Sequence, residues 1–411
     1  MEETVQALSD IVQMNSVNGN EQPVAEYLAK LLKQHGIDSK LIEYAPNRAN
    51  LVAEIGDGNG PVIGFDGHTD TVALGDEDKW AGSPLSAAIK DNKLFGRGVT
   101  DMKAGMMAGV FAMINLKEQG VPLHGTLRLM ATLGEEDGHV GAEQLAALGY
   151  ADDIKAMIVG EPSGADKRML ADKKIQAMLG ADEATAKKMM AANPTTEQHF
   201  IELAHKGSLT YTVRSKGVAA HSSMPQIGKN AIDALMGYYN KQTAYFESFN
   251  HVKNSVLGPT IPVVTLIKGG EQINTVPASA ELSVKIRTIP EVRNDKIIAD
   301  LEKIVAECNA AGAELTLDIH DSFFPMHTAE DSNLVQLAKS VGQQVLEQPL
   351  PYFGAPGGTD ASSYLPHNED MEVVVFGPGN ITAHQVNEYV DLDMYKRYIK
   401  IYAAMISNLL A

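Results

Sequence analysis

An apolar run that ends in a histidine and an aspartate occupies residues 62–70, with the sequence VIGFDGHTD. The run has the length of a buried strand, and Gly67 lets the backbone turn at its end and leave His68 exposed there. Asp70 follows two residues later, and side chains two apart in an extended chain share a face. Asp70 can therefore hold the imidazole in the tautomer that frees one nitrogen for a metal, although an isolated pair of this kind is also compatible with a surface turn.

Strands and helices alternate on both sides of this stretch. Apolar runs predict further strands at 51–55, 126–133 and 156–159. Apolar residues spaced three and four apart predict a helix over 24–32 and a second one over 107–114, each with one inward face. This alternation indicates a layered α/β domain, in which ligands collect at the carboxyl ends of the strands.

Acidic residues follow two of these strands directly. The sequence GEEDG at 134–138 places Glu135 and Glu136 after one strand, and GEP at 160–162 places Glu161 after the next. In a regular strand two adjacent glutamates point to opposite faces, so both reach one site only if the flanking glycines permit a bend. Acidic pairs are usually solvated, but their position after buried runs favours a site over a charged loop.

Two more candidate ligands lie in turns. Asp101 belongs to the glycine-rich sequence GRGVTDMKAG just before a helix, where a simple helix N-cap is the alternative interpretation. His384 follows the apolar run 373–376 and a Gly-Pro-Gly turn. Two imidazoles and three carboxylates are too rich in oxygen for a structural zinc cage, but they suit two divalent ions that share a bridging carboxylate. The candidate ligands are His68, Asp101, Glu136, Glu161 and His384.

The composition narrows the classes of function. A net charge of -18 repels phosphate backbones and anionic membranes, so neither a nucleic acid nor a membrane is expected as a partner. No stretch approaches the roughly 18 consecutive apolar residues that a membrane span needs, and from the acidic start MEETVQ no signal peptide is expected. The single cysteine, Cys308, excludes a disulfide framework or a thiolate metal cage and agrees with a reducing cytoplasm.

A chain of 411 residues is expected to form two or three domains. From about residue 207 the pattern changes to half-exposed strands, with clear alternation at 282–287 and helical stretches near 228–247 and 294–311. The order strand, helix, strand, strand, helix, strand predicts a small split-βαβ (ferredoxin-like) domain, with Cys308 on the apolar face of its second helix. The predicted domains are a first part at 1–205, an inserted domain at 206–322 and a second part at 323–411.

Taken together, the five motifs resemble those of the zinc-dependent aminoacylase, carboxypeptidase and deacylase family of the M20 type, over nearly the whole chain. The resemblance implies a mixed-sheet α/β zinc-hydrolase catalytic domain with an inserted lid and dimerisation domain. It also implies two Zn²⁺ per chain, replaceable by Co²⁺ or Mn²⁺. One zinc would be held by His68, Asp101 and Glu161. The other would be held by Asp101, Glu136 and His384, so that Asp101 bridges the two.

The same resemblance assigns the catalytic roles. Glu135 would be the base, since a carboxylate beside two metals can take a proton from a water that they activate. Asp70 would orient His68. A cis peptide bond is expected between Asp101 and Met102, as family members have one at this aspartate.

Further residues match positions of the family's inserted domain. His221, in KGVAAHSSMP, would polarise the scissile carbonyl, in dimeric members from the partner subunit. Asn274, in QINTVP, would stabilise the developing oxyanion. Arg287 would grip a substrate carboxylate, although a solvent-facing role is the alternative. Gly358 and Thr359 resemble the loop that contacts the substrate backbone.

The resemblance implies a metal-dependent hydrolase of a linear amide bond, acting on a small N-acyl amino acid or short peptide, as a homodimer formed through the inserted domain. The favoured reaction converts N-succinyl-LL-2,6-diaminopimelate and water to diaminopimelate and succinate, in lysine and diaminopimelate biosynthesis. Deacetylation of acetylornithine and dipeptide or tripeptide cleavage are the alternatives. A catalytically inactive binding protein is the alternative from another class, and the presence of all five ligands and Glu135 argues against it.

Two stretches depart from the family pattern. Residues 165–205 are extra, rich in Ala, Lys, Met and Asp, and have helical propensity with little strand character. After Thr359 the chain continues Asp360-Ala361-Ser362-Ser363, where many desuccinylases have Thr-Ser-Asp.

Overall fold

The computed structural model describes residues 1–178 and 181–411 and divides the chain into two compact units. Unit 1 comprises Met1–Leu203, His327–Phe353 and Thr359–Ala411, and unit 2 comprises Ala204–Met326 and Gly354–Gly358. Residues 354–358 belong to unit 2, because Gly354 lies directly against Val256 and Leu257.

The helices, in chain order, are α1 (Glu3–Gln13), α2 (Gln22–Gln34), α3 (Ala104–Glu118), α4 (Val140–Ala147), α5 (Lys173–Met178), α6 (Glu183–Ala192), α7 (Ala231–Ser248), α8 (Asn294–Ala310), α9 (Asn333–Leu346), α10 (Ala361–Tyr364) and α11 (Leu392–Leu409). Among the described residues, none of these helices combines the length and the apolar character needed to cross a lipid bilayer.

The strands, in chain order, are β1 (Ser39–Ala45), β2 (Arg48–Gly56), β3 (Val62–His68), β4 (Ala88–Lys90), β5 (Lys93–Phe95), β6 (Thr126–Thr132), β7 (Ile154–Asp166), β8 (Glu197–His199), β9 (Ile201–His205), β10 (Gly207–Lys216), β11 (Lys253–Asn254), β12 (Gly258–Pro259), β13 (Ile261–Gly269), β14 (Ser279–Thr288), β15 (Leu315–Phe323), β16 (Met326–His327), β17 (Tyr352–Ala355), β18 (Glu372–Asn380) and β19 (Tyr389–Asp391).

The sheet of unit 1 has the strand order β1-β2-β6-β3-β7-β18-β9. The central strands β6, β3, β7 and β18 run parallel, whereas β1, β2 and β9 pair antiparallel at the two sides. The predicted mixed-sheet α/β fold is therefore confirmed. Parallel strands bring their carboxyl ends to one edge. His68 ends β3, Glu136 follows β6, and Glu161 lies in the second half of β7.

Helix α3 differs from the prediction in its burial. The sequence pattern predicts one inward face over 107–114, but nearly every residue of the helix is buried. The reason is that α3 packs between the sheet and the helices α1 and α11, so it has no solvent face.

The extra segment 165–205 is only partly helical. Helices α5 and α6 agree with its composition, and Leu170, Ala186 and Met189 form a small buried cluster between them and the preceding turn. The expectation of little strand character is wrong for its last residues, which form β8 and β9. They become strands because β8 pairs with the end of β7 and Glu202 of β9 pairs with Val375 of β18.

Unit 2 contains the predicted order of elements, β10-α7-β13-β14-α8-β15. Its sheet has the order β13-β14-β10-β15 with antiparallel neighbours, so β14 lies between β10 and β13, as a split-βαβ arrangement requires. The alternation in β14 is confirmed by its buried Leu282, Val284 and Ile286. Cys308 is buried on α8 with Ile297, as predicted.

Candidate metal centre

The predicted ligands come from neighbouring strand ends of unit 1. His68 is the last residue of β3 and lies opposite Thr132, the last residue of β6. Glu135 and Glu136 occupy the turn after β6, and Glu161 lies on β7, which pairs with β3 on its other side. These side chains are thus placed together by the parallel pairing of three strands.

The turn that carries the two glutamates bends as the sequence predicts. Gly134 has a φ of +64°, a left-handed conformation that other residues rarely adopt. Both amides of the turn then point at one carboxylate: Glu135 N–H donates to Asp70 Oδ1 at 3.1 Å and Glu136 N–H donates to Asp70 Oδ2 at 3.1 Å. Asp70 therefore orients this turn as well as His68, a role that the sequence does not reveal.

The expectation that His68 is exposed at the strand end is wrong, because β3 continues through Gly67 and His68 is fully buried. Its two ring nitrogens have separate partners. Nδ1 lies 3.1 Å from the backbone oxygen of Asp70 and 3.5 Å from its Oδ1. Nε2 lies 3.0 Å from Asp101 Oδ1 and 3.4 Å from Glu161 Oε1. A proton on Nδ1 is thus donated to Asp70, which leaves the Nε2 lone pair facing the carboxylates.

Asp101 lies between two imidazoles. Its Oδ1 faces His68, while its Oδ2 lies 3.1 Å from His384 Nε2. The same nitrogen of His384 lies 2.9 Å from Glu136 Oε1. The peptide bond between Asp101 and Met102 is cis, which confirms the expectation. All five predicted ligands are therefore brought together, with Asp101 in the middle.

The cluster concentrates negative charge away from water. The side chains of Glu135 and Glu161 are each 12% exposed. Burial and the charge of Asp101 raise the pKa of Glu161 to about 8, and burial together with the charge of Glu161 raises the pKa of Glu135. Hydrogen bonds with Asp101 and Glu136 raise the pKa of His384 to about 10.

The donor set fits divalent cations. Ligand atoms of His68, Asp101 and Glu136 all lie within 4.8 Å of one another, and so do those of His68, Glu135 and Glu161. Buried carboxylates that raise one another's pKa are stabilised by a nearby cation, and mixed nitrogen and oxygen donors suit zinc, cobalt or manganese. Glu135 lies within ligand distance too, so the geometry allows it to act either as a ligand or as a base.

Glu388 holds the turn that carries Asp101. Its side chain is fully buried, with Oε1 accepting from Thr100 N–H at 2.8 Å and from Asp101 N–H at 3.2 Å, and Oε2 accepting from Gly98 N–H at 3.0 Å and from Arg97 Nη1 at 2.8 Å. Burial raises the pKa of Glu388, the hydrogen bond from Gly98 N–H lowers it, and the charge of Asp101 raises it again. The resulting pKa is about 7. No sequence motif singles out Glu388, although it lies four residues after His384.

Replacing Glu388 with glutamine is expected to weaken metal binding by about 10- to 100-fold. The amide nitrogen cannot accept the backbone N–H bonds that the carboxylate accepts, so the turn loses the partner that positions Asp101. The matched control is Glu372→Gln at the start of β18, where the carboxylate accepts one bond from Leu334 N–H. Titration of each purified protein with a metal chelator gives the affinities, and equal affinities for wild type and Glu388→Gln would contradict the assignment.

A second group of polar residues lies behind Glu135. His139 Nε2 lies 3.8 Å from Glu135 Oε1, and His139 Nδ1 lies 3.3 Å from Asp360 Oδ1. Asp360 Oδ2 accepts a hydrogen bond from Thr132 Oγ1 at 2.6 Å. Asp360, which follows Thr359, is therefore a buried carboxylate beside His139, and His139 lies beside the predicted base Glu135. Only the spacing of four residues between Glu135 and His139 hints at this in the sequence.

The predicted substrate residues of unit 2 lie in two places. The His221 loop pairs with the Asn274 loop through a bridge to Thr275 and through Ser222 N–H donating to Asn274 O at 2.9 Å, and both His221 and Asn274 are exposed. Arg287 lies on β14 and is partly exposed. Burial and then the charge of Arg287 lower the pKa of Lys206, so two cations lie near each other.

The two residues of the predicted substrate loop fall in different units. Gly358 is exposed and ends the last piece of unit 2. Thr359 is buried in unit 1, where its Oγ1 accepts from Ala361 N–H at 3.3 Å and its carbonyl accepts from Ser362 N–H at 2.9 Å. Its side chain thus helps to form the turn that begins α10.

Comparison with known proteins gives consistent matches along the chain. Residues 64–408 match the peptidase family M20/M25/M40. A probable succinyl-diaminopimelate desuccinylase of Staphylococcus aureus (strain N315) is 36% identical over 426 residues, covering 97% of this chain and 96% of that protein.

Solved structures share the fold at lower identity. Aminopeptidase PepT from Bacillus cereus has a TM-score of 0.72 at 19% identity, covering 100% of this chain and 99% of its own. A dinuclear metal binding peptidase of the M20 family from Bacillus subtilis has a TM-score of 0.68 at 14% identity, covering 99% and 97%. At these identities the likeness shows the common architecture.

Proposed function

This chain belongs to the peptidase family M20/M25/M40 and is a metal-dependent hydrolase of amide bonds, and from that premise we propose that it removes the succinyl group from N-succinyl-LL-2,6-diaminopimelate by two-zinc chemistry. One observation carries the mechanism: the two oxygens of Asp101 each face a different imidazole, with Glu135 in the same cluster. That arrangement provides two adjacent cation positions and one carboxylate to move a proton.

Two Zn²⁺ are held, in this proposal, by the predicted ligands. His68, Asp101 and Glu161 bind one, and Asp101, Glu136 and His384 bind the other, while Co²⁺ or Mn²⁺ can substitute because the donors are nitrogen and oxygen. When bound, the two cations polarise the amide carbonyl and lower the pKa of a water molecule.

Glu135 moves the proton. Its carboxylate takes one proton from the attacking water as the water oxygen bonds to the amide carbon, and returns it to the nitrogen as the carbon–nitrogen bond breaks. The second proton of the water then leaves the new carboxyl group for the amine, so the products are a carboxylate and an ammonium group. Asp70 supports this step because it accepts the backbone N–H of Glu135 and so fixes where the base starts.

The remaining predicted residues orient the substrate. His221 polarises the scissile carbonyl, and Asn274 donates to the developing oxyanion. Arg287 binds the substrate carboxylate through its forked guanidinium. The backbone at Gly358 and Thr359 contacts the substrate main chain.

A homodimer formed through unit 2 completes the proposal. Strand β13 is an edge of its sheet, and Ile261, Val263 and Ile267 on it are 46%, 49% and 61% exposed. An exposed apolar edge strand tends to pair with another chain, and pairing with a second copy would cover it. The inserted domain then serves both dimerisation and, with His221, the active site of the partner.

The choice of substrate is supported by the named relative from Staphylococcus aureus. In this proposal the reaction belongs to the biosynthesis of diaminopimelate and lysine and takes place in the cytoplasm. Deacetylation of N-acetylornithine and peptide cleavage use the same chemistry and differ in the groups beyond the amide, so a direct comparison of substrates decides among them.

The zinc-loaded enzyme is expected to hydrolyse N-succinyl-LL-2,6-diaminopimelate with a kcat/KM at least about 10-fold above that for N-acetylornithine, a dipeptide or a tripeptide. Release of the free amine measures all four, and Glu135→Gln prepared in parallel controls for contaminating hydrolases. A higher value for N-acetylornithine or a peptide would refute the substrate. No hydrolysis of any of them by the metal-loaded protein would favour a binding protein instead.

A further inference from the structure

A cavity of about 220 Å³ lies in unit 1 beside the metal centre. One wall begins at Pro162, directly after the predicted ligand Glu161, and another includes Ile381, three residues before His384. The extra segment 165–205 supplies most of the rest, including Leu170, Ile175 and Phe200. The stretch that departs from the family pattern thus builds a space adjoining the candidate active site.

Glu202 is the polar group of this cavity that lacks a partner. It is 8% exposed, and no described residue donates a hydrogen bond or forms an ion pair to its carboxyl. Burial and the charge of Glu161 raise its pKa. By contrast, Asp166 on the same lining is paired with Arg168, and Ser163 Oγ donates to Gly377 O at 2.8 Å. A buried carboxyl without a partner is costly, so its presence points to a ligand.

The size and the lining limit what that ligand can be. An apolar cavity of about 150 Å³ accepts benzene, so this one has room for an unbranched side chain of about five or six heavy atoms. Its lining residues, all of them described, are mostly apolar and include two carboxyls but no lysine or arginine. A methylene chain can pack against the apolar walls, and an ammonium group at its end can pair with the carboxylate of Glu202.

We propose that this cavity binds the side chain of the substrate's amino acid and that Glu202 pairs with an ammonium group on that side chain. The substrate class is an N-acyl amino acid with an unbranched side chain that ends in, or carries near its end, a primary amine. This assignment rests on the proposed amide hydrolysis at the neighbouring metal centre. It assigns the extra segment to substrate selection.

Two substrates that differ in the ammonium group alone provide the test. We expect the zinc-loaded enzyme to hydrolyse Nα-succinyl-L-lysine with a kcat/KM roughly 10- to 100-fold above that for Nα-succinyl-L-norleucine, as one charged pair in a buried site provides. In Glu202→Gln and Glu202→Leu this preference is expected to fall to about threefold or less, through loss of rate with the lysine substrate. Asp166→Asn is the matched control and should keep the preference.

Folding is checked by the melting temperature and the metal content of each variant. Glu202→Leu is expected to melt at a higher temperature than wild type, because it removes a buried carboxyl that lacks a partner in the free enzyme. A preference for lysine that persists in a folded, metal-loaded Glu202→Leu would overturn the proposal, as would equal rates for the two substrates in wild type.

Binding separates this proposal from the proposed function. Calorimetric titration of Glu135→Gln with the same two compounds measures the preference without turnover. The cavity assignment is supported if Glu135→Gln binds the lysine compound more tightly and if adding Glu202→Leu to this variant abolishes the difference. If wild type hydrolyses no N-acyl amino acid, the proposed function fails while the binding result still decides the cavity. If hydrolysis occurs and neither rate nor binding depends on Glu202, only the cavity assignment fails.

Discussion

Replacing Glu135 with glutamine is expected to lower kcat by about 10³- to 10⁴-fold and to leave the metal content at about two ions per chain. Glutamine has nearly the same size, but its amide cannot accept the proton of the attacking water. The five proposed ligands remain, and the hydrogen bond that positions residue 135 uses its backbone N–H to Asp70, which the substitution keeps. A loss confined to the rate of the chemical step therefore follows.

The adjacent substitution Glu136→Gln is the matched control. Its carboxylate lies 2.9 Å from His384 Nε2, so we expect it to lose metal affinity together with activity. Metal analysis of both purified proteins, alongside their steady-state kinetics, distinguishes a base from a ligand. Because Glu135 lies within ligand distance of His68 and Glu161, loss of metal from Glu135→Gln with retention in Glu136→Gln would show that the two roles are reversed.

Mixing two inactive chains is expected to restore activity if His221 acts across a dimer. The His221→Ala chain should lose about 10²- to 10³-fold in kcat, as removal of one group that stabilises the oxyanion usually does. When it is mixed with the Glu135→Gln chain, one site of each mixed dimer combines an intact Glu135 with an intact His221 from the partner. That dimer should reach at most about half of the wild-type turnover if the sites are independent.

The control replaces the second chain with one that carries both substitutions. Mixing it with His221→Ala supplies no intact His221, so no activity should return. Subunit exchange is verified separately, by mass spectrometry of chains of different mass. Proven exchange without recovery of activity would show that His221 acts within its own chain or not at all, and a monomeric protein in solution would exclude the dimer proposed through β13.

The sequence by itself determined the candidate ligands, the mixed sheet and the order of elements in unit 2. His68, Glu136 and Glu161 each follow an apolar run, and parallel strands place such positions at one edge, so local pattern was sufficient to group them. Gly134 allowed the bend that lets two adjacent glutamates approach one site. These features depend on residues close together in the chain, where hydrophobic period and turn chemistry carry the information.

Only the tertiary structure decided which side chains hold those candidate ligands in place. Glu388 accepts from the amide of Asp101, 287 positions away, and Asp360 accepts from Thr132, 228 positions away. The carboxyl of Glu202 faces a cavity whose walls come from distant parts of unit 1, so neither composition nor period could predict it. A buried polar group takes whichever partner the folded chain brings within hydrogen-bond distance, and that choice depends on the path of the chain rather than on neighbouring residues.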